Sequence, residues 1–111
     1  MAAGKAELSV VLITCPPEDG ARLARLLVEE KLAACVQVLP GAQSYYIWDG
    51  AVQEDGEALL ILKTDKRLGN RLIEFLTEHH PYDVPELLFL PVTDGHPDYL
   101  SWMNGELGGG A

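Results

Sequence analysis

The sequence is poor in basic residues, and this scarcity limits what the protein can bind. Lysine and arginine together number 8, against 17 aspartates and glutamates, which gives a formal net charge of -9 at pH 7. A surface this acidic repels phosphate backbones and anionic lipid headgroups, because like charges oppose association. We therefore expect neither nucleic acid nor a membrane surface among the partners of this protein.

Long apolar runs and cysteines are also scarce. No stretch approaches the roughly 18 apolar residues that a bilayer-spanning helix needs, and the start of the chain lacks the apolar region and cleavage site of a signal peptide. The two cysteines, Cys15 and Cys35, are more typical of reduced core residues than of a disulfide. We expect a cytoplasmic protein.

The motifs of common catalytic and nucleotide-binding sites are absent as well. The sequence contains neither GxxxxGK[ST] nor GxGxxG, and no nucleophile–base pair stands out. The loop after the first predicted strand reads CPPEDG, with two acids, two prolines that lack N–H donors and no arginine to hold a phosphate. We therefore expect a protein that is not an enzyme.

What the sequence does contain is a regular succession of strand and helix patterns. In chain order the patterns predict a strand at 8–14, a helix at 18–31, extended segments at 32–48 and 51–64, a helix at 66–80, a strand at 84–92 and a short helix from Pro97. This order predicts an α+β fold of the ferredoxin-like βαββαβ type, with an extended hairpin and a C-terminal helix. Right-handed crossovers would place both main helices on one face of the sheet. One domain should span 7–107, with flexible tails at 1–6 and 108–111.

The first strand and the hairpin carry more specific signals. The continuous apolar run of the first strand predicts cover on both faces of the sheet. Asp49-Gly50 predicts the hairpin turn, and Pro40-Gly41 predicts a bulge within one arm. Each arm approaches ~50 Å at about 3.3 Å per residue, so a domain of this size leaves half of it projecting. The projecting half carries large exposed residues, Tyr45, Tyr46, Ile47 and Trp48. Because bare aromatic edge strands aggregate unless another chain covers them, we expect a closed homo-oligomer.

The segment HHPYDVPELLFLPV, residues 79–92, combines a helix stop with metal-ligating residue types. Pro81 ends the second helix and biases His80 toward extended geometry. His79 continues the apolar stripe of that helix, as a packed structural histidine would. Imidazoles together with a thiolate would also suit copper or zinc. From the residues alone, both interpretations stay open.

A second candidate site involves polar and aromatic residues near the prolines and the hairpin. The plain interpretation is a loop fixed by Pro81 and Pro85, with solvated polar groups. The functional one is a pocket between subunits, able to hold a small anion or another ligand. Its lining would be Trp48, Glu57, Lys63, Tyr82 and Glu86, with Asp83 nearby.

Several strings of this sequence together resemble the CutA divalent-cation tolerance family: KLAACV, HPYDVPE and YLSW. The resemblance covers nearly the whole chain, from Leu8 to about Asn104. It implies a ferredoxin-like subunit, a tightly packed homotrimer and a cytosolic role in metal tolerance. It also implies copper binding, which is associated with some bacterial members.

The resemblance further implies which residues would bind copper: a cysteine at the end of the first strand and paired histidines before a proline. On this sequence they match Cys15, His79 and His80. The bacterial pattern has cysteine before threonine, whereas here Thr14 precedes Cys15, and a shift of one residue in a strand turns a side chain to the opposite face. The alternative function is that of a regulatory trimer, since CutA-like trimers resemble PII-type signalling proteins that bind a small ligand between subunits.

Overall fold

A four-stranded antiparallel sheet organises the protein, and the computed structural model describes residues 6–108. The strands are β1 (Leu8–Cys15), β2 (Cys35–Trp48), β3 (Ala51–Asp65) and β4 (Leu88–Pro91). The helices are α1 (Gly20–Glu29), α2 (Gly69–His79) and α3 (Pro97–Glu106). The sheet order is β2-β3-β1-β4, and each neighbouring pair is antiparallel. This architecture confirms the predicted α+β, ferredoxin-like fold with its C-terminal helix.

The limits of the predicted domain mostly lie outside the described residues. The tails predicted at 1–6 and 108–111 lie almost wholly outside the described residues, so the domain range 7–107 stays a prediction. Within residues 6–108, no helix is both long enough and apolar enough to cross a membrane.

One face of the sheet carries the hydrophobic core. Alternate residues of a strand point the same way, and Val11, Ile13 and Cys15 of β1 are fully buried. They form one cluster with apolar residues of the two main helices, including Leu23, Leu27, Leu72, Phe75 and Leu76. Burying one such aliphatic side chain contributes about 1.5–3 kcal/mol. Both main helices therefore lie on this face, as predicted.

The opposite face of the sheet, which we call the open face, is apolar but far less covered. Cross-strand pairing groups its apolar side chains: Val10, Leu12, Leu39, Leu59, Ile61, Leu88 and Leu90. Leu88 is 56% exposed and Leu90 is 45% exposed. The prediction that β1 is covered on both faces is therefore wrong within a single chain, because only the core face is fully buried.

The long hairpin projects from the sheet as predicted. The turn is at Asp49-Gly50, where φ is 54° and 79°, and the β2–β3 register shifts between Leu39 and Ala42, at the predicted bulge. The principal extents of the molecule are 51 × 26 × 22 Å. At the tip, Ile47 is 66% exposed. The hairpin thus presents large apolar side chains that no other part of the described chain covers.

Both main helices begin later than the predicted ranges of 18–31 and 66–80. Short 3-10 turns precede them instead, at Pro17–Asp19 and Lys66–Leu68. At the end of α1, Lys31 adopts a φ of 59°, a left-handed conformation that cannot continue a helix. The 3-10 turns take up the residues that connect each strand to its helix.

The last strand is shorter than the predicted range of 84–92. β4 contains only Leu88–Pro91. Pro85 has no N–H group to donate to a ladder, and Val84 is exposed. Residues 81–86 therefore form a loop beside the hairpin instead of extending the sheet.

Asp65 joins the end of β3 to the turn before α2. Its carboxylate accepts hydrogen bonds from the backbone N–H of Glu7 at 3.0 Å and of Arg67 at 2.8 Å. The Arg67 guanidinium donates two more, at 3.0 and 2.8 Å. Burial alone would raise the pKa of Asp65, but these hydrogen bonds outweigh it and lower the pKa below its usual value. The ionised carboxylate is therefore the form that stabilises the fold.

Replacement of Asp65 by alanine should lower the free energy of unfolding by about 1–3 kcal/mol at pH 7, because buried donors lose their acceptor. A lowered pKa means that this stabilisation is present above the unfolded pKa, about 3.9 for aspartate, and is lost as pH falls through the folded value. Urea unfolding at pH 7 and at acid pH measures it. Glu74→Ala, at an exposed position of α2, is the control. An equal loss in both variants would contradict this role of Asp65.

Candidate functional site

A pocket of about 680 Å³ opens where the hairpin, the end of β1 and the loop after α2 meet. The hairpin supplies every second residue of each arm: Tyr46, Trp48, Gln53, Asp55 and Glu57. β1 supplies Thr14, and the loop supplies Tyr82, Asp83, Val84 and Glu86. Alternate strand residues share a face, and Thr14 pairs with Leu59 of the open face. The pocket therefore lies on the side of the sheet away from the two main helices.

Glu57 joins the hairpin to the loop from inside this pocket. The residue is only 7% exposed. Its Oε1 accepts a hydrogen bond from the Ser44 hydroxyl at 2.5 Å, and its Oε2 accepts one from the Tyr82 hydroxyl at 3.0 Å. Within residues 6–108, Glu57 forms no ion pair with a lysine or arginine. Its carboxylate is thus buried among neutral donors.

Two tyrosines of the pocket serve as hydrogen-bond donors to its carboxylates. Burial, followed by the hydrogen bond to Glu57, raises the pKa of Tyr82 to about 12. The hydroxyl of Tyr46 donates to Asp55, and this bond raises the pKa of Tyr46. Both phenols therefore keep their protons at neutral pH. They hold two carboxylates in place without adding positive charge.

The structure brings together four of the five predicted pocket residues within one chain. Trp48, Glu57, Tyr82 and Glu86 all line the pocket, and Lys63 does not. The Lys63 ammonium donates instead to the Gln37 side chain at 2.8 Å. The rise along a strand is ~3.3 Å per residue, so Lys63 lies roughly 20 Å from Glu57 along β3. Among residues 6–108, the pocket lining therefore contains no basic side chain of the kind that an anion site would need.

Sequence reasoning missed several members of the pocket. Tyr46, Gln53 and Asp55 were not assigned to it, nor were Thr14 and Val84. The signal that finds the hairpin members is the register: a turn at Asp49-Gly50 pairs residue 48 with 51, 46 with 53 and 44 with 55. Residues directly opposite each other share a face, which places these side chains beside Trp48.

His80 is a structural link between β1 and the loop. Its ring is buried, with Nε2 2.8 Å from the backbone carbonyl oxygen of Thr14. Nδ1 accepts a hydrogen bond from the Tyr82 backbone N–H at 3.1 Å. Because Nδ1 is an acceptor here, the ring proton is on Nε2 and is donated to Thr14. Neither ring nitrogen is left for a metal ion.

His79 makes different contacts from His80. Its ring packs on Phe75 of the same helix, with centroids 4.5 Å apart. The nearest carboxylate oxygen, from Glu78, lies 3.8 Å from Nε2. Arg22 donates to the His79 backbone carbonyl at 3.1 Å and so connects the end of α2 to α1. The residue is a partly buried end of the apolar stripe, in keeping with its sequence pattern.

Cys15 faces the core and Thr14 faces the pocket. The Cys15 thiol is fully buried. Burial first, and then the charges of Asp19 and Glu57, raises its pKa to about 11. A thiol at position 14 would line the pocket, and the order Thr14-Cys15 turns it away. Within residues 6–108, no group of three His, Cys, Asp or Glu side chains is placed to hold a metal ion.

The family model described as CutA1 divalent ion tolerance protein matches residues 9–106. The Divalent-cation tolerance protein CutA of Citrobacter koseri is 51% identical over 102 residues, which is 91% of this chain and 89% of the relative.

Solved structures of similar chains share the fold closely. The crystal structure of CutA1 from Oryza sativa has a TM-score of 0.89 and 44% identity, and covers 94% of this chain and 96% of its own. The structure of the PII-like protein CutA from Nostoc sp., in apo form, has a TM-score of 0.82 and 37% identity, and covers 89% of this chain and 96% of its own.

Replacement of His80 by alanine should lower the free energy of unfolding by about 1–3 kcal/mol, because the buried Thr14 carbonyl loses its donor. His79→Ala removes mainly the contact with Phe75 and should cost less. Urea unfolding measures both variants, and ¹⁵N NMR of the unmodified protein should show the Nε2–H tautomer at His80. A larger loss for the His79 variant, or the other tautomer, would contradict this assignment.

Proposed function

The chain belongs to the CutA1 divalent ion tolerance protein family, and on this premise we propose that it acts in the tolerance of divalent metal ions as a cytoplasmic homotrimer. The family match contains all described strands and helices except the first residue of β1. The proposal assigns a binding role and no chemical reaction. It agrees with a sequence that lacks phosphate-binding motifs and an evident nucleophile–base pair.

The observation that best supports the oligomer is the open face together with the projecting hairpin. Leu88 and Leu90 border an apolar sheet face, and the hairpin tip exposes Ile47 and Trp48. Apolar surface of this kind is stable in water when another copy covers it. The number of three copies rests on the resemblance to the CutA family. The two free cysteines support a reducing compartment such as the cytoplasm.

Copper is the metal that the family resemblance implies, and the implied ligands do not fit a copper ion in this conformation. Cys15 would have to leave the core and lose a proton that burial retains. His80 would have to give up its bond to the Thr14 carbonyl. His79 alone is partly exposed, and one imidazole is a weak site. Copper binding by these residues therefore stays a prediction, and tolerance need not depend on it.

A second candidate function, a PII-like regulatory trimer that binds a small molecule, is supported by the pocket. The cavity has the size of a small-molecule site, and the similar Nostoc protein is described as PII-like. The position of the pocket beside the open face would bring it close to a neighbouring copy. A ligand there could alter how the copies pack.

The double variant Leu88→Glu, Leu90→Glu should dissociate the oligomer, because two charges would have to be buried between copies. Size-exclusion chromatography with light scattering measures the molar mass. Val28→Glu, on the exposed side of α1, is the matched control and should leave the mass unchanged. A double variant that keeps the mass of the unmodified protein would show that the open face is not the interface.

Native mass spectrometry with added copper tests the predicted metal ligands. A site made of Cys15, His79 and His80 requires one copper per subunit, lost in the His79→Ala and His80→Ala variants and kept in a His96→Ala control. The contacts of His80 and Cys15 favour the opposite result, a protein that takes up no stoichiometric copper. Stoichiometric uptake that both histidine variants abolish would contradict the structural role given to His80.

A further inference from the structure

We propose that the pocket between the hairpin and the 81–86 loop binds a small organic cation of the ammonium type, held by carboxylates and aromatic rings. This inference rests on the ligand-binding alternative under Proposed function and specifies its ligand class. The cavity of about 680 Å³ falls within the range of roughly 300–1,000 Å³ that small-molecule sites occupy. It is therefore larger than a single metal ion needs.

The charge of the pocket selects a cation. Four of its lining residues are acidic, and among the described residues that line it none is lysine, arginine or histidine. The acidic members are Asp55, Glu57, Asp83 and Glu86. An anionic ligand would meet only like charges at short range. The small anion considered from the sequence depended on Lys63, which is bound to Gln37 elsewhere on the sheet.

Among these acidic residues, Glu57 gives the most specific reason for a cation. Its carboxylate is buried and accepts hydrogen bonds from two neutral hydroxyls, those of Ser44 and Tyr82. A buried charge without a counter-ion is costly. A carboxylate has about four acceptor positions, so positions remain for a charged N–H donor. A bound cation would neutralise this charge where water has little access.

Aromatic rings favour an organic cation over a metal ion. Tyr46, Trp48 and Tyr82 contribute to the wall, so a ligand in the cavity would meet aromatic rings. Ring faces attract ammonium groups by their quadrupole, most strongly in tryptophan. A metal ion needs several converging ligand atoms, and no three acidic or histidine side chains within residues 6–108 converge in that way.

Titration of the unmodified protein with choline and with n-butylammonium tests the proposal. Calorimetry and NMR saturation transfer should show that at least one of them binds once per chain. The neutral isostere of choline, 3,3-dimethylbutan-1-ol, should bind at least about tenfold more weakly, because it lacks the charge that the carboxylates attract. Binding should also weaken with added salt.

Variants then locate the binding. Glu57→Gln keeps the shape and the acceptor oxygen and should weaken the affinity about tenfold. Trp48→Leu should weaken it about two- to fivefold. Glu74→Gln changes the net charge equally on the far side of the sheet and should have no effect. The molar mass and circular dichroism of each variant, compared with the unmodified protein, establish that the fold is kept.

Each outcome decides the proposal. Binding of an ammonium probe that follows the charge of Glu57 and the ring of Trp48 supports it. Absence of binding by both probes overturns it, as would occur if a basic side chain of a second copy already fills the pocket. Equal binding of the neutral isostere also overturns it. These outcomes are measured as binding and not as molar mass, so a failure here is distinct from a failure of the proposed homotrimer.

Discussion

The placement of both main helices on one face of the sheet is the constraint on which the rest of the structure depends. The βαββαβ order sends both crossovers to the same side, and the core forms there around Val11, Ile13 and the leucines of α1 and α2. The other side keeps apolar residues at alternate positions of every strand, and none of them is fully buried. In a single chain, therefore, helices cover one face of the sheet, and the open face stays partly exposed. In the proposed oligomer, association of copies would cover the open face.

The pocket lies at the edge of the open face. The hairpin extends beyond the helices, and residues 81–86, which include Pro81 and Pro85, form a loop instead of extending β4. The loop instead meets the hairpin through the bond between Tyr82 and Glu57. The buried carboxylate of Glu57 thus has two roles. It fixes the loop against the hairpin, and it gives the cavity a charge that no described basic residue neutralises.

Much of the fold was predictable from local patterns, whereas the site was predictable only in part. The turn at Asp49-Gly50, the bulge at Pro40-Gly41 and the helix stop at Pro81 are signals within a few residues. Whether Lys63 meets Glu57 depends instead on distance along a strand. The effect of the order Thr14-Cys15 was also predictable, because a shift of one residue in β1 moves a side chain from the pocket face to the core face. The shorter β4 and the His80 bond to Thr14 depend on tertiary contacts that residue patterns do not specify.

In the proposed assembly, further copies of this chain cover the open face. Sedimentation equilibrium of the unmodified protein over a wide range of concentrations measures this most directly, because it gives the mass of the assembly without reference to its shape. We expect a single species with the mass of three 12.1 kDa chains, stable on dilution. A species of 12.1 kDa that persists at high concentration would contradict it, since the apolar open face would then be exposed to water.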